Sequence, residues 1–70
     1  MVLKLNGSYK TATGYIIPRS HFRGEKGQCY CVVQILTGGE SHYTSRHTTM
    51  STKELRKALK IGQKERIEIV

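Results

Sequence analysis

The sequence predicts an α+β fold: a small, mostly antiparallel β-sheet in the order β-β-β-α-β, with one helix packed on one face. Three observations predict it. Several runs alternate with period two and are rich in Val, Ile, Thr and Tyr, a Gly-Gly pair separates two of them, and one segment opens on a capping signal followed by apolar residues at helical spacing. At 70 residues the chain has room for a single domain, residues 1–70, with one small core.

Residues 2–5 read as extended chain before a break at Gly7. Tyr9, Thr11, Thr13, Tyr15 and Ile17 then alternate with smaller or polar residues, which predicts one strand over 9–17 with Gly14 as a bulge. Pro18 has no amide proton for a ladder and should end it. Residues 19–27 are polar and punctuated by glycine, with Arg19, Arg23 and Lys26 against Glu25, the pattern of a basic loop.

Residues 29–36 are β-branched, aromatic or small and apolar, and Gly38-Gly39 after them signals a hairpin whose second strand returns over 40–49. A two-residue turn pairs Thr37 with Glu40. Counting outward sets Tyr30 opposite His47, Val32 opposite Ser45 and Gln34 opposite Tyr43. Cys29, Cys31, Val33 and Ile35 then share the other face with Thr48, Arg46, Thr44 and His42, and their aliphatic content makes that face the core side. A turn one residue longer would exchange the faces of the returning strand.

Ser51-Thr52-Lys53-Glu54 fits a capping box, and Met50 and Leu55 occupy the positions of a hydrophobic staple. The helix so begun presents Leu55, Ala58 and Leu59 on one stripe, with Gly62 as the expected C′ residue. Over 65–70, Ile67 and Ile69 alternate with Arg66 and Glu68, which predicts a terminal strand.

Charge is the strongest compositional signal: 12 Lys and Arg stand against 5 acidic residues, all Glu, for a formal net charge of +7. Such an excess raises the encounter rate with polyanions, so nucleic acid, DNA or RNA, is the expected partner. Two surfaces are candidates. The hairpin offers Tyr30, Tyr43 and His47 beside the loop with Arg19, Arg23 and Lys26, a combination suited to stacking on bases and pairing with phosphates, and Arg46 lies on the opposite face of the same strand. The helix offers a flank with Lys53, Arg56, Lys57 and Lys60. The alternative partner is an acidic protein surface, met by docking or by strand addition.

No catalytic machinery is expected. The chain has no Asp, its Glu residues are scattered, and it lacks a Walker A sequence, a G-x-G-x-x-G loop and a nucleophile elbow. Cys29, Cys31, His21, His42 and His47 do not have the spacing of a zinc site, and the cysteines sit in an apolar strand where a packed thiol is the usual outcome. No metal or cofactor is expected. The apolar runs are too short to cross a bilayer, residues 1–5 are followed by no signal-peptide h-region, and the expected location is cytoplasmic. Three strands followed by a helix resembles the element order of AP2-like domains and of the amino-terminal arm-binding domains of some integrases. That resemblance implies a sheet that meets DNA, and no residue role is carried over from it.

Overall fold

Residues 1–38 and 42–70 are described by the computed structural model. Its strands are β1 (Val2–Leu3), β2 (Tyr9–Lys10), β3 (Gly14–Arg23), β4 (Cys29–Gly38), β5 (Tyr43–Ser51) and β6 (Glu68–Ile69), with helix α1 (Thr52–Ala58) between the last two. Strands β2-β3-β4-β5 form one antiparallel sheet in that order, and β1 pairs with β6 in a separate parallel ladder. The α+β expectation is met. The three long strands, the helix and the last strand follow the expected order, preceded by two strands of two residues.

Several local expectations are corrected. The stretch 9–17 is a hairpin instead of one strand: Thr11 donates its amide to the Gly14 carbonyl, and Lys10 pairs with Tyr15. Gly14 is the first residue of β3 and no bulge; a Cβ there would lie 1.8 Å from the Leu36 carbonyl oxygen, so only glycine lets β4 approach so closely.

Pro18 does not end the strand. It pairs with Val33 inside β3, and its carbonyl accepts from the Asn6 amide, away from β4. A strand residue aims its N and C=O at the same neighbour, so the missing amide proton falls on the side where β2 has already stopped. The supposed basic loop is therefore strand as far as Arg23, and only residues 24–28 connect β3 to β4.

The register of β4 with β5 is also corrected. Thr37 pairs with Thr44, Gln34 with His47 and Tyr30 with Ser51, a slide of four residues from the expected pairing. Gly39, Glu40 and Ser41 of the expected turn and returning strand lie outside the described residues. An even slide preserves the faces. It brings Met50 instead of Arg46 opposite Cys31 and Thr48 opposite Val33, a more apolar partner set for the buried side.

That side is the core, as expected. Leu3, Ile16, Cys31, Val33 and Leu55 form the buried cluster, with Tyr9, Ile35, Met50, Ala58, Leu59, Ile67 and Ile69 packed around it. α1 lies over this face and supplies Leu55. Its capping box is complete: Glu54 donates its amide to Ser51 Oγ at 3.2 Å, and the Ser51 amide donates to Glu54 Oε1 at 3.5 Å. The C-terminus departs from expectation, because Lys60 at φ 56° takes the C′ position instead of Gly62. Ile61 donates to the Arg56 carbonyl and Lys60 to that of Lys57, the paired bonds of a Schellman motif, and Ile61 is thereby turned into the core.

The expected strand over 65–70 is only Glu68–Ile69, and it pairs with β1 instead of the main sheet. Among the described residues no helix is long and apolar enough to cross a membrane.

Candidate functional site

The core elements all stand on one side of the sheet, which leaves its second face uncovered among the described residues. Register assigns that open face Lys10 from β2, Tyr15, Ile17, Ser20 and Phe22 from β3, Tyr30, Val32, Gln34 and Leu36 from β4, and Tyr43, Ser45, His47 and Thr49 from β5. Each of them is half-buried or exposed.

A bulge organises the centre. Pro18 pairs with Val33 and Ser20 with Val32, so Arg19 is an extra residue and stands with Ser20 on the open side. Alternation is inverted beyond it: Ile16 and Pro18 face the core before the bulge, His21 and Arg23 after it. Arg19 lies across the face, its Nε and Nη2 donating to Gln34 Oε1 at 3.2 and 2.5 Å and its Nη1 to Asn6 Oδ1 at 2.9 Å. Gln34 in turn donates to Ser45 Oγ at 2.7 Å. This chain spans β3, β4 and β5 and anchors the guanidinium over the sheet.

An aromatic pair lies at each end of the face. Phe22 and Tyr30 are stacked across β3 and β4, with centroids 5.5 Å apart and planes at 22°. Tyr15 and Tyr43 approach to 6.1 Å in a tilted arrangement at 59°. Along β4 the pairs are separated by six residue steps, from Tyr30 to Leu36, the partner of Tyr15, or about 20 Å of strand. Phe22 and Tyr43 are 47% and 48% exposed, so each offers ring surface to solvent. Among the described residues the four strands contribute no carboxylate to this face: Glu25 is in the β3–β4 turn, Glu65 and Glu68 follow the helix, and Glu54 of α1 is bonded to Ser51, the partner of Tyr30, at one end.

The expected site residues divide into groups. Arg19, Tyr30, Tyr43 and His47 are brought together on the open face. Arg23 and Lys26 lie at its Phe22–Tyr30 end, with Arg23 turned to the helix side at the end of β3 and Lys26 in the turn. Arg46 is opposite Ile35 on the helix side, and Lys53, Lys57 and Lys60 are exposed on or just after α1. The helix flank is thus separated from the hairpin surface by the thickness of the sheet. Its remaining cation, Arg56, is committed internally, donating to the carbonyls of Gly62 and Glu65. Tyr15, Phe22 and Lys10 are missing from the sequence-derived set; for Tyr15 and Phe22 the signal, aromatic residues in β-rich stretches, was present, but the bulge and the hairpin at 11–13 reassign the faces of all three.

At the Phe22–Tyr30 end of the sheet a cleft of about 410 Å³ is bordered by that aromatic pair and by His21, Cys29, Thr52 and Ile69, among others. Both cysteines are free, Cys29 exposed and Cys31 buried. Burial pushes the Cys31 thiol above its ordinary value, opposed in part by a backbone hydrogen bond from Arg19. Among the described residues no group of three or more His, Cys, Asp or Glu side chains is placed to hold a metal ion. Compared with known proteins, the chain matches no family model, no curated protein and no solved structure at a significant level.

Proposed function

We propose that this chain is a non-enzymatic nucleic-acid-binding domain that uses the open face of its sheet. One observation carries this reading: a face with an anchored arginine, two aromatic pairs and no carboxylate contributed by its strands among the described residues, in a chain of net charge +7. Rings serve as stacking platforms for bases, and Arg19, Lys10 and the cations of the β3–β4 end pair with phosphates. Two free thiols accord with a reducing, cytoplasmic setting.

Titration of labelled DNA and RNA at about 0.05 and 0.2 M salt tests the proposal, since phosphate contacts make the logarithm of affinity fall linearly with the logarithm of salt concentration. Absence of binding to every nucleic acid at the lower salt would remove it. Lys57→Glu with Lys60→Glu decides whether the helix flank takes part: on the open-face reading these changes weaken binding less than Tyr43→Ala, although they remove far more positive charge.

A second reading rests on a separate feature. β5 ends the sheet order, so a nine-residue strand presents an edge with no partner among the described residues, and such an edge can accept a strand from another protein. Recovery of a stoichiometric protein partner from nuclease-treated extract at moderate salt would favour this reading over the first.

A further inference from the structure

We infer that the ligand of the open face is single-stranded nucleic acid, lying across the strands with bases stacked at the two aromatic ends and its backbone passing Arg19; this rests on the nucleic-acid reading above. The alternative, insertion of the sheet into a duplex groove, needs long polar side chains that stand off the sheet and reach base edges. Among the described residues Lys10, on the edge strand β2, is the one such side chain with no bond across this face. The face's other long polar groups, Arg19 and Gln34, are bonded to each other, and Gln34 is bonded further to Ser45. Ser20, Ser45 and Thr49 are short. The protruding features are rings, and ring faces recognise unstacked bases, which a duplex does not offer.

The electrostatics agree with this ligand. Three of the five N–H groups of Arg19 are used within the protein, which leaves two for a phosphate at the middle of the face. His47, across from Gln34, is exposed beside them. The span of about 20 Å between ring pairs sets the minimum ligand: an oligonucleotide must be several nucleotides long to touch both, and mononucleotides reach only one.

The test is fluorescence anisotropy with a labelled oligothymidylate, an oligouridylate and a duplex of equal length, using the parent chain and the Phe22→Ala, Tyr43→Ala and Tyr43→Phe variants, each checked for folding by thermal melting. The two alanine changes leave net charge untouched and truncate half-exposed rings, so the fold is retained. The expected result is tighter binding of either single strand than of duplex by about tenfold or more, a loss of about 5- to 100-fold for each alanine variant, and parental binding by Tyr43→Phe. Duplex bound as tightly as single strand, or alanine variants that bind like the parent, would overturn the single-strand assignment while leaving nucleic-acid binding in place. No binding to any of the three probes would overturn both.

Discussion

Arg19 reaches the open face because two residues of β3 face Val32. From the sequence its position in a polar stretch suggested a loop, and the alternation that follows it, taken as unbroken from Ile16, would have placed His21 outward and Phe22 in the core. A bulge is defined by the partner strand, so the residue pattern of β3 alone does not reveal it. Tyr43 and Arg46 were legible by contrast, because residues three apart on an unbulged strand must face opposite sides. Cys31 supports a prediction at this scale. Its folded pKa is raised above the ordinary value of 9.0, so the native state keeps a proton that the unfolded chain releases. That contribution is complete below the unfolded value and is lost as pH rises through the folded one. Urea unfolding followed upward from about pH 8 should show a decline that is shallower in Cys31→Ala. Iodoacetamide should modify Cys29 in the native protein and Cys31 only on unfolding, and equal rates at both thiols would contradict the burial.

The helix is the element whose beginning was fully legible and whose end was not. A capping box is local chemistry within Ser51 to Glu54, so four residues suffice to specify it. Its end is decided by Ile61, which must turn into the core, and the residue before it is forced into the left-handed region although it is lysine. Ser51→Ala should lower stability by about 1 kcal/mol. Lys60→Gly should raise it by about 1 kcal/mol, since glycine adopts that conformation without the penalty a side chain meets. Thermal melting reads both, because about 1 kcal/mol moves the midpoint of a domain this size by about 4–8 °C. No rise for Lys60→Gly would mean that the lysine side chain contributes packing that offsets its backbone strain. The hairpin register was missed for a similar reason: Gly38-Gly39 suggested the shortest turn, whereas the burial of Met50 favours a slide of four.

At the scale of the whole molecule, a small core is closed by the two ends of the described chain. Leu3 is fully buried, and β1 is held by β6 through bonds from Leu5 to the Val70 carbonyl and from Val70 to the Leu3 carbonyl. Parallel pairing of strands more than sixty residues apart has no signature in either segment, which is why period-two alternation predicted the last strand but not its partner. Leu3→Ala should cost about 2–5 kcal/mol, a large share of the total of about 4–10 kcal/mol expected for a domain of this length. Val2→Ala, at an exposed position of the same strand, should stay within about 0.5 kcal/mol, and denaturant titration separates the two. The same closure confines the helix, the terminal strands and the acidic residues near them to one side and leaves the other for a ligand. Nuclear magnetic resonance of isotope-labelled protein titrated with an oligothymidylate tests that division directly. The ring signals of Tyr15, Phe22, Tyr30 and Tyr43 and the Nε–H of Arg19 should shift together, with the amides of Lys53 and Lys57 nearly unmoved; shifts concentrated along α1 with the rings and Arg19 unchanged would contradict the open face as the binding surface.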